Sequence, residues 1–159
     1  MRDLVEAEVQ AHSAETEGRV LIEGPAVTLH EKASETLALA IHELATNAVK
    51  YGALSTSQGR LQVTWSIKPG VLELEWRETG LAQPASDNNR GYGRELIEVA
   101  LPFALGASTQ YRFLLDGVYC SIQLPDYEWR RQAPSNPSPV FATAPPSLNG
   151  KMEEEGLGQ

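Results

Sequence analysis

Cysteine is nearly missing from this 159-residue chain, which contains one, Cys120. A single cysteine excludes an intramolecular disulfide framework and any zinc site built from several cysteines. The chain has no run of about 18 apolar residues, so it predicts no membrane span. Residues 1–6 already include the acidic Asp3 and Glu6 and lack an apolar stretch, so we expect no secretory signal. Together these absences favour a reducing, cytoplasmic setting.

Basic residues are also few. The chain has 13 Lys plus Arg against 21 Asp plus Glu, a formal net charge of −8. This balance argues against a basic patch that binds a nucleic-acid backbone, so we expect no nucleic-acid partner. It does not exclude a nucleotide site, which needs only a local set of donors and a metal. Hydrophobic residues make up 42% of the chain, which is enough for a packed core.

The composition changes after Pro125. Residues 126–159 hold five of the ten prolines and show no hydrophobic period. We predict that this Pro-rich tail is mostly disordered, because it cannot bury enough apolar surface to offset its chain entropy. Only residues 127–131 could still pack on the domain edge. Residues 1–125 are predicted to form one globular domain.

Three segments carry a helical pattern. Residues 31–51 carry the longest one, and Gly52 is a natural stop. Residues 94–105 predict another helix, with Pro102 disturbing its last turn. A weaker pattern covers residues 2–12.

Alternation of apolar and polar residues predicts two antiparallel hairpins, over residues 61–76 and 111–124. Short strands are predicted at residues 19–23 and 26–29. Cys120 alternates with other apolar residues and is predicted to be a buried small hydrophobe, not a reactive thiol. This order of elements predicts an α+β fold, a two-layer α/β sandwich with a mixed sheet and helices on one face.

The longest predicted helix has a polar face opposite part of its apolar stripe. At about 100° per residue, Glu43, Asn47 and Lys50 fall near 0°, 40° and 340°. The core stripe consists of Leu37, Ile41, Leu44 and Ala48. An amide oxygen suits Mg²⁺, an ammonium suits phosphate, and a carboxylate can hold a metal-bound water or accept a proton. The alternative is a solvated helix face with an ordinary i,i+4 polar pair.

Two further segments carry groups that suit a nucleotide. Glu78 closes a predicted strand, where its carboxylate would lie at a pocket mouth and could accept from an exocyclic amino group such as that of adenine. Gly80 lets a backbone or a ring approach closely. Gly91 and Gly93 lead into a helix, whose exposed amides attract phosphates. A plain turn with a surface Glu remains the alternative, and the P-loop pattern is absent.

Taken in order, these segments resemble the HWE histidine kinases, a bacterial two-component branch of the GHKL ATPase superfamily. Residues 42–55 match the N-box of that family, which takes part of its name from the residue at His42. Trp76 and Glu78 match its Trp-x-Glu pair, and residues 91–97 match its second glycine box. The resemblance spans residues 1–125 and implies the GHKL fold, ATP and Mg²⁺.

The N-box match implies roles on the long helix. Asn47 would bind Mg²⁺, and Glu43 would polarise a water or the attacking imidazole. Lys50 would contact phosphate. His42 could donate to a phosphate oxygen or order Glu43.

The two later motifs imply contacts to the rest of ATP. Glu78 would replace the usual adenine-reading Asp, with Gly80 beside the base. Gly91 and Gly93 would offer backbone amides to the phosphates at the end of a lid over residues 80–93. The family often has a Gly-Gly-Pro run at the start of this lid, which this sequence lacks.

A second departure concerns the phosphate acceptor. The family's dimerising helices with their phosphoacceptor histidine are not matched, and the residues after His12 and His30 do not fit the acceptor motif. Residues 1–18 could be the end of a linker from such a domain.

We therefore expect the ATP-binding catalytic domain of a sensor histidine kinase. It would transfer the ATP γ-phosphoryl to a histidine of a dimerising domain or partner kinase in trans, for relay to a response regulator. One alternative is a non-catalytic ATP-binding regulatory module, which nothing in the sequence separates from the kinase. The other is a GHKL protein-serine kinase of the anti-sigma type, over which His42, Trp76 and Glu78 favour the histidine kinase branch.

Overall fold

The computed structural model describes residues 1–11, 18–81 and 92–132. In chain order the elements are α1 (Arg2–Gln10), β1 (Val20–Glu23), β2 (Val27–Leu29), α2 (Glu31–Lys50), β3 (Arg60–Lys68), β4 (Val71–Thr79), α3 (Tyr92–Glu95), a π-helical turn (Leu96–Ala100), α4 (Leu101–Leu105), β5 (Ser108–Leu114), β6 (Gly117–Pro125) and β7 (Trp129–Arg131). Short 3-10 turns cover Ala53–Ser55 and Asp126–Glu128.

Five strands form one mixed sheet in the order β1-β3-β4-β6-β5. β1 pairs with β3 in parallel, and the other neighbours are antiparallel. A parallel pair needs a crossover connection, and α2 lies in the chain between β1 and β3. The prediction of a mixed sheet is confirmed.

The sheet buries one face against the helices. Residues of β3 and β4 alternate between buried and more exposed positions, as strand geometry requires, except at Glu73, which is also buried. The buried apolar members are Leu61, Val63, Trp65, Leu72, Leu74 and Trp76. The four predicted stripe residues of α2 are buried in the same cluster. The predicted two-layer sandwich, with helices on one face, is therefore confirmed.

Cys120 lies on β6 and is fully buried. Burial raises the pKa of its thiol to about 12, because the thiolate is poorly solvated there. The prediction that Cys120 is a buried hydrophobe is confirmed.

The folded chain continues past Pro125. β7 pairs antiparallel with β2, and the His30 N–H donates to the Glu128 carbonyl at 2.9 Å. The described fold therefore extends seven residues beyond the domain boundary predicted at residue 125. A three-residue strand is too short to show alternation in the sequence. The rest of the predicted tail, residues 133–159, lies outside the described residues.

The second long helix is interrupted earlier than predicted. The Leu101 N–H donates to the Leu96 carbonyl, five residues back, whereas Leu101–Leu105 is regular α-helix. The prediction that Pro102 disturbs the last turn is wrong in position, because the irregular turn is Leu96–Ala100, which precedes the proline. Proline lacks an N–H, so the carbonyl four residues before it loses its α-helical donor and the preceding turn changes.

Across the ranges described above, no helix is long and apolar enough to cross a bilayer.

Candidate functional site

The last two turns of α2 carry the predicted polar face. Glu43 and Asn47 are half-buried and Lys50 is exposed, whereas the apolar side of the helix is buried. The helix ends cleanly, because the N–H groups of Tyr51 and Gly52 both donate to the Asn47 carbonyl, at 2.8 and 3.0 Å. Residues three and four apart lie on one helix face. A carboxylate, an amide and an ammonium therefore project from one side of a well-anchored helix.

Gly93 lies against this face. A Cβ at position 93 would lie 3.0 Å from the Glu43 Cβ and 3.1 Å from Glu43 Oε2. Glycine therefore lets α3 approach α2 more closely than another residue could. The approach brings Gly93 next to Glu43. Gly91 lies outside the described residues, as does most of the predicted lid.

Glu78 lies near the end of β4, where its side chain is buried. Only 2% of the residue is exposed. Its Oε1 accepts a hydrogen bond from Trp76 Nε1 at 2.9 Å, and its Oε2 accepts from the Ala53 N–H at 2.8 Å. Burial raises the pKa of this carboxyl, and the two donors oppose that rise. The prediction of an open position is wrong, because Glu78 points to the helix side of the sheet, where Trp76 also packs.

Two glycines make room for Glu78, one for its carboxylate and one for its backbone. A Cβ at Gly52 would lie 2.0 Å from Glu78 Oε2, and a Cβ at Gly117 would lie 1.8 Å from the Glu78 carbonyl oxygen. Sequence reasoning identified Gly52 only as a helix stop and missed its contact with Glu78. Its place inside the N-box match was the one available indication. The role of the Ala53 N–H cannot be recognised from the sequence, because every residue except proline has a backbone N–H.

Gly80 follows β4 and has a φ of 84°. This left-handed conformation favours glycine. A Cβ there would lie 2.7 Å from the Gln58 carbonyl oxygen. The backbone at Gly80 therefore packs tightly on the turn that precedes β3, two residues from Glu78.

His42 lies on α2 and contacts the first helix, α1. Its exposed ring places Nδ1 3.0 Å from Glu8 Oε2 on α1. Sequence reasoning missed Glu8, and it considered a contact from His42 to Glu43 or to phosphate instead. The contact of His42 with Glu8 joins α1 to α2.

Two residues of α2 carry oxygens that could hold Mg²⁺ together with a bound nucleotide. Within residues 1–11, 18–81 and 92–132, no three His, Cys, Asp or Glu side chains form a group able to hold a metal. Mg²⁺ commonly takes one or two protein oxygens and completes its shell with water and substrate phosphates. The Asn47 amide and the Glu43 carboxylate offer that kind of set.

The Ala53–Glu78 hydrogen bond joins the end of α2 to the end of β4. The polar helix face and the buried carboxylate are thus parts of one arrangement on the helix side of a five-stranded mixed sheet. Fold and site together define an α/β-sandwich domain of the ATPase type. Residues 9–101 match the family of histidine kinase-like ATPase domains, and the chain belongs to that family.

Curated relatives are histidine kinases. Blue-light-activated histidine kinase 1 of Erythrobacter litoralis is 36% identical over 129 residues, covering 79% of this chain and 36% of that protein. The blue-light-activated histidine kinase of Brucella ovis is 32% identical over 111 residues, covering 67% of this chain and 23% of that protein. The chain thus spans about a third or less of the length of these relatives.

Solved structures show the same fold. The histidine kinase domain of a blue-light-activated histidine kinase from Erythrobacter litoralis has a TM-score of 0.58 at 19% identity, covering 77% of this chain and 60% of that one. The catalytic domain of histidine kinase ThkA has a TM-score of 0.58 at 11% identity, covering 77% and 91%.

Proposed function

We propose that this domain binds ATP with Mg²⁺ and transfers the γ-phosphoryl to a histidine. The histidine would belong to a dimerising domain or a partner kinase in trans, and a response regulator would receive the phosphoryl next. The observation that carries the proposal is the 2.8 Å bond from the Ala53 N–H to Glu78 Oε2. This hydrogen bond holds the end of α2, which would bind the phosphates, beside the Glu78 carboxylate, which would bind the base.

Each residue on α2 would have a distinct task at the phosphates. Mg²⁺, when bound, neutralises phosphate charge. The Asn47 amide oxygen would hold the ion, and the Lys50 ammonium would contact a phosphate oxygen as a point charge. The Glu43 carboxylate would hold a water or take the proton of the attacking imidazole. Catalysis would consist mainly of positioning and charge stabilisation.

The base and the lid would complete the site. A carboxylate has about four acceptor positions, so the two bonds that Glu78 already accepts leave capacity for the adenine amino group. Gly80 would lie beside the base. The backbone amides of Gly91 and Gly93 would bind phosphates. The Trp76–Glu78 pair supports the HWE branch, and a two-component role implies a cytoplasmic domain.

For His42 we propose a structural role. The contact between its Nδ1 and Glu8 Oε2 at 3.0 Å supports the packing of α1 on α2.

Calorimetry of the 159-residue chain tests the first half of the proposal. ATP should bind in the presence of Mg²⁺ and bind more weakly after chelation with EDTA. Affinity that is independent of the metal would contradict the role of Asn47.

Labelled ATP tests the second half. The chain should label a separately added dimerising domain of the HWE type, and the label should be acid-labile, as phosphohistidine is. Binding without transfer would favour the regulatory module. Acid-stable label on a serine would favour the anti-sigma type of kinase.

A further inference from the structure

We propose that Trp76 is a positioning residue for base recognition. Its indole N–H, together with the backbone N–H of Ala53, fixes the Glu78 carboxylate in the orientation that accepts the adenine amino group. This inference rests on the proposed function, since it concerns the same ATP site. It assigns the indole a task that packing alone would not.

The two hydrogen bonds act on opposite oxygens of one carboxylate. Trp76 Nε1 lies 2.9 Å from Glu78 Oε1, and the Ala53 nitrogen lies 2.8 Å from Oε2. The terminal torsion of a glutamate is broad and would otherwise leave the carboxylate free to rotate. One donor on each oxygen fixes the plane of the group. The remaining acceptor positions then point in fixed directions.

The surroundings remove the alternatives to this orientation. Trp76 is fully buried and Glu78 is 2% exposed, so water cannot easily replace either donor. Residues two apart on a strand share a face, which places the indole beside the carboxylate from within β4 itself. Oε2 occupies space that only a glycine at position 52 leaves open, because a Cβ there would lie 2.0 Å away.

Trp65 provides a matched comparison. It lies on β3, faces the same core and is 4% exposed. Its Nε1 also donates one hydrogen bond, at 2.8 Å, but to the Pro25 carbonyl. A change from Trp to Phe at either position removes one indole N–H and similar packing. Only the change at Trp76 removes a donor to Glu78.

The experiment compares ATP with purine riboside triphosphate, which lacks the 6-amino group. Binding is measured by calorimetry on the full chain for wild type, Trp76→Phe and Trp65→Phe. Wild type should prefer ATP by about tenfold or more, the effect of one hydrogen bond to a charged acceptor. Trp76→Phe should reduce this preference to about threefold or less. Trp65→Phe should keep it, even if both variants lose stability.

A second variant separates shape from hydrogen bonding. Placing 3-benzothienylalanine at position 76 keeps the fused ring and replaces the N–H by sulfur. It should reduce the preference as Trp76→Phe does. In a Glu78→Ala background, Trp76→Phe should cause no further loss of preference, because Trp76 acts through Glu78.

Three outcomes would overturn the inference, and only the last of them would also overturn the proposed function. If wild type prefers ATP and both position-76 variants keep that preference, the inference is overturned and the proposed function stands. If Trp65→Phe reduces the preference as much as Trp76→Phe does, the effect is general packing and the inference is again overturned. If wild type binds neither nucleotide, the proposed function fails and the inference fails with it.

Discussion

Gly52 and Glu78 lie so close that a single added methyl group would overlap the carboxylate, with Cβ 2.0 Å from Oε2. Gly52 directly follows α2, and Glu78 is near the end of β4. The contact therefore joins the helix that carries Asn47 to the strand that carries the proposed base-reading group.

Gly52→Ala should disturb this junction. The new Cβ would also lie 2.7 Å from the Ala48 Cα, so neither the helix nor the carboxylate can stay in place. We expect the free energy of unfolding to fall by about 1–3 kcal/mol, the usual cost of overpacking, and ATP affinity to fall as well. Urea unfolding and calorimetry measure the two effects.

Gly70→Ala is the matched control for that variant. Gly70 has a φ of 75°, but a methyl group added there would meet no atom of the described residues within 4 Å. The Gly70→Ala variant should have a lower free energy of unfolding because of backbone strain, and it should keep the ATP affinity of wild type. Wild-type ATP affinity in Gly52→Ala would contradict the importance of the junction.

Asn47→Asp should weaken binding of ATP without unfolding the domain. The change keeps an oxygen ligand but adds a negative charge near the phosphates, and like charges repel strongly at partly buried positions. We expect about a tenfold loss in calorimetric affinity, with stability within about 0.5 kcal/mol of wild type. Gln62→Glu makes the same chemical change at an exposed position on β3 and should leave affinity unchanged. Equal effects of the two variants would argue against a site on α2.

Competition with GTP should show a preference for adenine. Glu78 can accept from the adenine amino group, whereas guanine presents a carbonyl at that edge. Two acceptors that face each other leave that acceptor position of the buried carboxylate unpaired, which costs about 1–3 kcal/mol or more. GTP should therefore displace bound ATP only at a much higher concentration. Equal potency of the two nucleotides would show that Glu78 does not read the base.

The chain alone should form negligible acid-labile phosphohistidine. Transfer needs an imidazole held in line with the γ-phosphate at near-attack distance. His42 faces Glu8, and the exposed His30 directly precedes α2, while His12 lies outside the described residues. Added dimerising domain should restore labelling, and Asn47→Asp should reduce it. Strong labelling of the isolated chain that disappears in His12→Ala or His30→Ala would overturn this prediction.

Two buried glutamates should respond to pH with opposite signs. Burial raises the pKa of Glu78, so the folded state binds its proton more tightly than the unfolded chain. Its contribution to stability is then present at low pH and is lost as pH rises from about 4.3, the ordinary glutamate pKa, through the raised folded value. The stability of wild type relative to Glu78→Gln should therefore fall as pH rises.

Glu73 should show the reverse dependence. Its carboxylate accepts from Lys68 Nζ and from Gln123 Nε2, which hold its pKa below the ordinary value. Its contribution is present above a pH of about 4.3 and is lost as pH falls through the lowered folded value. The stability of wild type relative to Glu73→Gln should therefore rise with pH. Urea unfolding of the three proteins over the acidic to neutral range measures both slopes, and slopes of the same sign would contradict the assignment.

The sequence by itself determined two features of the fold: the helix α2 with its two faces, and the two hairpins. The buried stripe and the polar face of α2 follow from a period of about 3.6 residues, which is a local property of the chain. The hairpins follow from a period of two in the same way. The order of motifs also sufficed to indicate the family, which the match over residues 9–101 confirmed.

Tertiary structure alone decided which groups meet. The Glu78 carboxylate bonds a backbone N–H 25 residues away, and His42 contacts Glu8 at a separation of 34. β7 finds its partner in β2, which lies near the other end of the described chain. Such contacts depend on strand register and on how closely glycine lets two backbones approach. A backbone donor is the same at every residue except proline, so no sequence pattern distinguishes Ala53 from its neighbours until the fold brings it to Glu78.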